Sequence, residues 1–379
     1  MKGKQGLVCM GLLLVLSSCS CHTGKQITAS GLQRKDFQTE VNGQHTDLFT
    51  LSNKQGMEVC ITNYGARVVS ILVPDRNGKR EDVVCGFSTI TEYMEQRQNF
   101  GSTVGRYIGR ILNARFTLDG VEYKLVPNNG KSGHISHGGN PGFADRIWKV
   151  EQADTHRVRL SYLSPDGENG FPGNLKVTLV YSLGEDDNAL DLTYEATTDA
   201  PTVLNLSHHS FFNISGNFTK SVEDQQLWVD ADRFTPYDDK KCVTGEYLPV
   251  AGTPLDFRMP HTIGECIDAD HPQLKVVNGY DHTWELNTKG DDTRPAAWVY
   301  DPASGRKMEI FTTEPGMQIY TGNGLKGKMT GKRGIAYPFR SAVCFETMHF
   351  QDSPNHPGFP STVLRPGEVF RSHTVYKFE

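Results

Sequence analysis

Short runs of β-branched and aromatic residues, separated by glycine, proline and asparagine, occur along almost the whole of this 379-residue chain. Examples are RVRLSYLS at 157–164 and LKVTLVYSL at 175–183. The Asn-Gly pair at 77–78 and the Asp-Gly pair at 119–120 are typical of tight turns between strands. Short strands at this spacing indicate a sandwich or a barrel. We therefore predict an all-β protein with large antiparallel sheets.

Helical periodicity is scarce. The best candidate is the segment STITEYMEQR at 88–97, where Ser88 or Thr89 could cap the first turn and acidic residues follow. We predict one short helix there.

The N-terminal residues are typical of an export signal. Lys2 and Lys4 precede an apolar stretch at 7–16, which is too short to cross a membrane as a helix. The sequence Leu-Ser-Ser-Cys that ends at Cys19 resembles the bacterial lipobox, in which the cysteine is lipidated and becomes the new N-terminus. We therefore expect residues 1–18 to be a lipoprotein signal peptide, with an ordinary cleaved signal as the alternative.

The rest of the chain divides into two predicted segments. Residues 19–35 are polar and should form a short tether. Residues 36–379 contain no low-complexity linker, and we predict a single large β domain. The mature protein is then expected to be exported and held on a membrane only through its lipid anchor, in the periplasm or at the outer membrane.

Charge and cysteine spacing exclude some classes of function. The net charge of −5 argues against nucleic acid as a partner. The eight cysteines include no C-x-x-C pair of the kind found at zinc or redox sites, and their spacing does not say which could form disulfides. His134 and His137 have no third zinc ligand nearby, so we predict no metal site. The sequence does not predict the oligomeric state.

Two adjacent histidines lie inside the strand-like segment NLSHHSFFNIS at 205–215. Side chains alternate between the two faces of a strand, so His208 lies on the same face as Leu206 and Phe212, and His209 lies on the face of Asn205. His209 is therefore the better candidate for chemistry at neutral pH. A hydrogen-bonded structural pair is the alternative.

Four further polar residues stand in strand or turn contexts. Arg110 is flanked by glycine, His137 precedes two glycines, Asp281 follows an Asn-Gly turn, and Glu346 ends the apolar strand AVCFETM. Burial should raise the pKa of Glu346 and make it useful as a base. Each residue taken alone is better explained by an ion pair or a turn.

The combination of motifs in this order resembles the aldose 1-epimerases, also called mutarotases. The motifs are GRYIGRI, SHGG, NLSHHSFFNISG, GYDH, TTEPGMQIYTGN, CFET and LRPGE, and the resemblance extends from about residue 63 to residue 379. It implies a β-supersandwich of two broad antiparallel sheets with a sugar-binding cleft. It also implies interconversion of the α and β anomers of aldohexoses such as glucose and galactose, without a cofactor.

The resemblance assigns roles to individual residues. By position, Glu346 matches the family's general base and His209 its general acid, and His137 matches the histidine of its HGG turn. The residues that match its ligands for sugar hydroxyls are Arg110, Asp281 and Gln318.

The sequence departs from the family pattern at four positions, none of them a proposed catalytic group. Gly109 and His208 stand where Asn is usual, Ser136 where Leu is usual, and Glu314 where Gln is common. These departures concern substrate preference, and the sequence does not identify the preferred aldose.

Two other functions remain open at this stage. A glycoside hydrolase could use Asp281 and Glu346 as its pair of carboxylates and would release a reducing sugar. A non-catalytic sugar-binding lipoprotein could use the same fold and would bind sugar without changing anomer exchange.

Overall fold

The computed structural model describes residues 26–379. Cys19 and the predicted signal peptide 1–18 lie outside the described residues. No helix within 26–379 is both long enough and apolar enough to span a bilayer.

Strands make up most of the regular structure in this part of the chain, and the all-β prediction is confirmed. In chain order they are β1 Glu40–Val41, β2 Gln44–His45, β3 Leu48–Ser52, β4 Glu58–Thr62, β5 Arg67–Pro74, β6 Arg80–Asp82, β7 Ser102–Val104, β8 Arg110–Ile111, β9 Arg115–Leu118, β10 Val121–Lys124, β11 Ile135–Ser136, β12 Lys149–Ala153, β13 Arg157–Ser164, β14 Leu175–Leu183, β15 Ala189–Thr198, β16 Thr202–Val203, β17 Ser207–His209, β18 Phe211–Phe212, β19 Gln226–Val229, β20 Arg233–Thr235, β21 Leu248–Pro249, β22 His261–Thr262, β23 Asp281–Glu285, β24 Ala297–Tyr300, β25 Lys307–Thr312, β26 Gly316–Tyr320, β27 Val343–Met348, β28 Val363–Leu364 and β29 Phe370–Phe378. The two α-helices are α1 Ile90–Gln96 and α2 Pro272–Val277. Short 3-10 turns cover Arg34–Phe37, Leu112–Ala114, Gly130–Ser132, Phe143–Asp145, Glu168–Gly170, Lys332–Gly334 and Ser353–Asn355.

Three antiparallel sheets form the body of the supersandwich. The largest has nine strands in the order β12-β13-β14-β15-β29-β25-β24-β19-β22. A six-stranded sheet has the order β18-β27-β26-β23-β20-β21, and a four-stranded sheet has the order β3-β4-β5-β6. Short strand pairs such as β17 with β7 and β11 with β8 lie outside these three sheets and supply residues to the site described below.

The main core lies between the sheets. Its buried side chains include Ile61 from the four-stranded sheet, Leu179 and Ile310 from the nine-stranded sheet, and Phe345 from the six-stranded sheet. The alternation of β14 explains this placement, because Leu175, Val177, Leu179, Tyr181 and Leu183 are all buried while Lys176 between them is exposed. Burial of each such aliphatic side chain stabilises the fold by about 1.5–3 kcal/mol.

Helix α1 confirms the predicted helix at 88–97 with shorter bounds. Thr89 is the N-cap, and its side chain accepts from the backbone of Glu92 while the Glu92 carboxylate accepts from the Thr89 N–H. Arg97 ends the helix in a left-handed conformation with φ 46°. The helix thereby directs Gln98 and Asn99 towards the cleft.

Helix α2 was not predicted. Asn278 is its left-handed C-cap with φ 61°, so the Asn-Gly pair at 278–279 ends a helix instead of joining two strands. Its N-cap is His271, and Pro272 occupies the first helical position.

Residues that precede the predicted domain boundary at Asp36 already pack against the β domain. The Ala29 N–H donates to Oε1 of Glu58 over 2.6 Å, Leu32 is buried, and Arg34 forms an ion pair with Asp47. Residues 26–35, which the sequence places in the tether, are therefore part of the folded structure, because Leu32 supplies apolar surface and Glu58 binds the backbone.

Candidate active site

One cavity of about 260 Å³ is lined by all six residues that the sequence predicted for catalysis and sugar binding. These residues are Arg110, His137, His209, Asp281, Gln318 and Glu346. They come from β8, the turn after β11, β17, β23, β26 and β27, so the site depends on strands that are far apart in sequence.

Three neighbouring strands of the six-stranded sheet supply one wall. Thr283 of β23 lies opposite Gln318 of β26, which lies opposite Glu346 of β27. Directly paired side chains lie on the same face of a sheet. Asp281 lies two residues before Thr283 and shares that face, so the strand register alone places the two carboxylates and the amide side by side.

Glu346 and His209 approach each other directly. Oε1 of Glu346 lies 3.5 Å from Nε2 of His209, and both side chains are almost fully buried. The His209 ring stacks on Phe211 with centroids 5.1 Å apart and an interplanar angle of 15°. The stacking holds the imidazole in one orientation against the carboxylate.

The pKa values of this pair shift in opposite directions. Burial raises the pKa of Glu346 well above 4.5; the negative charge of Asp281 adds to the rise and Arg110 opposes it. Burial also lowers the pKa of His209 well below 6.5, and the neighbouring His137 adds to that decrease. Burial therefore favours the uncharged form of both groups.

His137 lies beside His209 in the lining of the cavity. Its ring centroid lies 5.5 Å from that of His209, and burial together with the charge of Arg110 lowers its pKa to about 4. The following Gly138 has φ +78°, and a Cβ there would lie 2.0 Å from the carbonyl oxygen of Gly105. Only glycine fits this turn, which explains the SHGG motif.

Hydrogen bonds fix the residues predicted to bind sugar hydroxyls. Nε2 of Gln318 donates to Oδ1 of Asp281 over 2.7 Å, and the Thr283 hydroxyl donates to Oε1 of Gln318. Burial raises the pKa of Asp281, while Arg110 and the bond from Gln318 lower it. Gln318 and Asp281 both line the cavity, whose lining also includes other charged and amide side chains.

Gln351 is a further residue of the cavity that the sequence analysis missed. Its Nε2 donates to the Tyr237 hydroxyl over 2.7 Å and to Oε1 of Gln318 over 3.3 Å, and its Oε1 accepts from the Arg110 N–H over 3.2 Å. A Cβ on Gly109 would lie 2.5 Å from the Gln351 side chain. The glycine that departs from the family pattern therefore makes room for Gln351, a relation that no local motif could reveal.

His208 lies on the other side of the strand, as its alternation predicted. Its ring packs near Tyr181 and Tyr376, and its Nε2 lies 2.7 Å from the Ser210 hydroxyl. Burial lowers its pKa to about 3. His209 is also 95 % buried, and it lies in the wall of the cavity.

The surroundings of two further residues, Glu314 and Cys344, are well defined. Glu314 does not line the cavity; its carboxylate lies 2.7 Å from Nδ1 of His349.

The sulfur of Cys344 lies within 4.8 Å of ligand atoms of His209 and Glu346, a grouping that could hold a metal ion. Burial and the charge of Glu346 raise the pKa of the Cys344 thiol well above 9.0, and a protonated thiol is a poor metal ligand.

The fold and the cavity together define a class of protein. A supersandwich with a buried carboxylate–imidazole pair, in a cavity also lined by charged and amide side chains, is suited to proton transfer on a carbohydrate. The family model described as aldose 1-epimerase matches residues 47–377. The chain belongs to the aldose 1-epimerase family.

Individual relatives agree with this assignment. The chain is 40% identical over 331 residues to a galactose mutarotase of Bos taurus, covering 87% of this chain and 93% of the relative. It is 37% identical over 340 residues to an aldose 1-epimerase of Escherichia coli (strain K12), covering 89% of this chain and 96% of the relative. Among solved structures, the GalM/aldose epimerase homologue from C. elegans superposes with a TM-score of 0.81 at 31% identity, covering 88% of this chain and 99% of that one.

Proposed function

We propose that Glu346 and His209 are the general base and the general acid with which this enzyme interconverts the α and β anomers of free aldoses. The observation that carries the proposal is the 3.5 Å approach of Oε1 to Nε2 at the wall of the cavity, between two titratable side chains that are both buried. Substrates of this class include glucose and galactose.

The chemistry needs one proton removed and one supplied. Glu346 takes the proton of the C1 hydroxyl while His209 gives a proton to the ring oxygen. The bond between C1 and the ring oxygen breaks, and C1 becomes the carbonyl carbon of the open-chain aldehyde. Rotation about the C1–C2 bond presents the other face, and the reverse transfers close the ring, so both residues return to their starting state.

The positions of the two groups suit this exchange of roles. Catalysis of proton transfer is most efficient when the acid and the base titrate near the working pH, and the raised pKa of Glu346 moves that base towards it. Each well-placed acid or base contributes a rate factor of about 10²–10⁴. Because the pair exchanges one proton in each direction, its net charge is the same before and after turnover.

Arg110, Asp281 and Gln318 are proposed to bind the sugar hydroxyls. The Gln318–Asp281 bond presents an amide and a carboxylate from neighbouring strands, and Arg110 adds fixed donors. Such contacts hold C1 and the ring oxygen against Glu346 and His209. His137, whose ring lies 5.5 Å from that of His209, assists at the ring oxygen.

The two alternatives are less well supported. A hydrolase would use Asp281 as its second carboxylate, but the bond from Gln318 holds that group as a ligand. A non-catalytic binding protein would not need a buried carboxylate and imidazole in direct contact, an arrangement that costs desolvation energy. The family membership also favours the epimerase.

Polarimetry with the purified full chain tests the proposal. Freshly dissolved α-glucose and α-galactose should reach their equilibrium rotation faster with enzyme than without it. Unchanged rates for both sugars would contradict it, and release of reducing sugar from a glycoside would favour the hydrolase.

We further propose that the enzyme is an exported lipoprotein, acylated at Cys19 and located in the periplasm or at the outer membrane. The support is the sequence Leu-Ser-Ser-Cys behind a short apolar stretch, in residues that lie outside those described here. The described structure begins at Gln26, seven residues after Cys19, so a protein acylated at Cys19 would be held near the membrane surface.

A further inference from the structure

Three side chains that can ligate a metal ion meet at the wall of the candidate active site. They are His209 of β17 and Cys344 and Glu346 of β27, all buried, and one ligand atom from each lies within 4.8 Å of the other two. Motif spacing did not reveal this group, because His209 lies on a strand far from the other two residues in sequence.

Strand register and ring stacking bring the three side chains together. Cys344 and Glu346 are two residues apart on β27, so their side chains share one face of the six-stranded sheet. Phe211 of β18 pairs directly with Cys344, and the His209 ring stacks on Phe211. The imidazole is thereby held beside the thiol and the carboxylate, and a metal ion can bind them with little rearrangement of the backbone.

The spacing of the ligand atoms fits a four-coordinate zinc ion. Zinc binds imidazole nitrogen and carboxylate oxygen at about 2.1 Å, so two such ligands in a tetrahedral site lie about 3.4 Å apart. Oε1 of Glu346 and Nε2 of His209 lie 3.5 Å apart. A sulfur ligand should lie about 3.6 Å from each of them, which a movement of the Cys344 sulfur on the order of 1 Å would achieve.

The chemical types of the ligands select the class of cation. One nitrogen, one sulfur and one carboxylate oxygen suit zinc, whereas Mg²⁺ and Ca²⁺ prefer sites made of oxygen atoms. Three protein ligands leave a fourth position open. His209 and Glu346 line the cavity and Cys344 does not, so the open position is directed towards the cavity.

We propose that His209, Cys344 and Glu346 bind a zinc ion and that the bound ion inhibits anomer exchange. The ion would occupy the lone pairs with which Glu346 takes a proton and His209 returns one, so neither residue could serve as base or acid. The inhibition rests on the proposed function, because it requires these two residues to be the proton-transfer groups. The binding itself does not depend on that function.

The surroundings of the three ligands favour exchangeable zinc over a permanent ion. Cys344 is fully buried, and the pKa of its thiol is raised well above 9.0, so the ion must displace the thiol proton to water before the sulfur can coordinate. The Asp281 carboxylate in the same cavity attracts a cation, whereas the Arg110 guanidinium opposes one.

A second thiol beside an imidazole is the competing zinc ligand. Sγ of Cys242 lies 3.3 Å from Nε2 of His134, and both side chains are partly exposed. No third ligand of the described residues 26–379 completes this pair as Glu346 completes the other group. Cys242→Ala is therefore the matched control for Cys344→Ala, because each variant removes one thiol from beside a histidine.

Polarimetry with glucose and the full chain at increasing Zn²⁺ concentration tests the inhibition. Saturating Zn²⁺ should slow anomer exchange at least about 100-fold, as for the loss of a proton-transfer group, and a chelator should restore the rate. Mg²⁺ at the same concentrations should leave the rate unchanged. Full activity at saturating Zn²⁺, or equal inhibition by Mg²⁺, would overturn the proposal.

Variants then locate the ion. Cys344→Ala should raise the inhibition constant for Zn²⁺ at least about tenfold, because even residues that only support a metal ligand contribute about 10–100-fold to affinity. Its rate without Zn²⁺ should change little, and Cys242→Ala should be inhibited like the wild type. If melting shows that Cys344→Ala is unfolded, Cys344→Val keeps more of the buried volume and should be equally insensitive. Undiminished inhibition of the folded Cys344 variant, or lost inhibition in Cys242→Ala, would overturn the assigned ligands.

Cobalt absorption separates this inference from the proposed function. Co²⁺ binds ligands similar to those of zinc, and a bound thiolate gives it a charge-transfer band in the near ultraviolet. Titration of the full chain should give a band that is weaker in Cys344→Ala and unchanged in Cys242→Ala. The difference between variants is decisive, because each keeps the other cysteines of the chain. If glucose is never epimerised, the proposed function fails, yet this spectrum still tests the metal site; identical bands in the wild type and Cys344→Ala would overturn it.

Discussion

Nε2 of His209 lies 3.5 Å from Oε1 of Glu346, in a cavity wall from which both side chains expose almost nothing to solvent. Water does not stabilise the charged form of either side chain there. The two groups are close enough to act on one substrate, one giving a proton and the other taking one. The pair is therefore a single chemical unit, although its members come from strands more than a hundred residues apart in sequence.

Removal of either member should abolish efficient turnover. We expect Glu346→Gln and His209→Asn each to slow anomer exchange at least about 100-fold, because each loses one proton-transfer group. The double variant should be little slower than the worse single variant, since groups that act together are not additive. Polarimetric rates and melting temperatures measured side by side check this, and a single variant with a nearly unchanged rate would remove that residue from the mechanism.

His208→Asn provides the control for the His209 variant. A polar side chain of similar size can keep a hydrogen bond to Ser210, so the free energy of unfolding near pH 7 should change by only about 1 kcal/mol and the rate by a few-fold. Lost turnover in this variant, with normal turnover in His209→Asn, would reverse the assignment of the two faces.

The pH dependence of the free energy of unfolding also distinguishes His208→Asn from the wild type. Burial lowers the pKa of His208 from 6.5 to about 3 in the folded protein. Below pH 6.5 the unfolded chain takes up a proton that the folded chain does not, so this residue costs about 1.4 kcal/mol of stability for each pH unit down to about pH 3. Denaturant unfolding between about pH 7 and about pH 5 should therefore show a smaller loss of stability in His208→Asn than in the wild type; parallel losses would contradict a neutral buried His208.

Arg110→Gln should shift the acid limb of the profile of kcat/KM against pH. The base must be ionised to act, so the limb of kcat/KM follows the pKa of Glu346, which lies well above 4.5. Arg110 lowers that pKa, and its removal should shift the limb to higher pH. Arg110→Lys keeps the positive charge and should leave the limb nearer its original position. A limb unmoved in the glutamine variant would show that the charge of Arg110 does not act on the base.

The sequence predicted what depends on local alternation and on motifs. Strand period separated His208 from His209 correctly, and the helix at 88–97 was recognisable from the cap at Thr89. Helix α2 was missed because it has only six residues and ends in an Asn-Gly pair that also suits a turn. Gln351 was missed because its place in the cavity depends on contacts between distant segments, such as its contact with Arg110, 241 residues away in sequence.

Cys19→Ala tests the proposed anchor. Loss of the acyl chains should release the protein from the membrane fraction or block its processing, because one hydrophobic signal alone binds a bilayer only weakly. Cys21→Ala, two residues further along, is the matched control and should leave fractionation unchanged. If Cys19→Ala stays with the membrane, an ordinary signal or attachment through another protein explains the location instead.

Gly109 and Gln351 should behave as a coupled pair in sugar binding. Gly109→Asn restores the residue usual in the family, but its Cβ would lie 2.5 Å from Cγ of Gln351 and displace that side chain from Gln318 and the Arg110 backbone. We expect KM for glucose to rise several-fold with a smaller change in kcat, because a group that positions sugar ligands is lost while the proton-transfer pair is untouched. Gln351→Ala removes the clash, so the double variant should bind glucose better than the sum of the two single changes predicts. Strictly additive effects on KM would mean that the two residues do not share this space, and that Gly109 is required only for its positive φ of 75°.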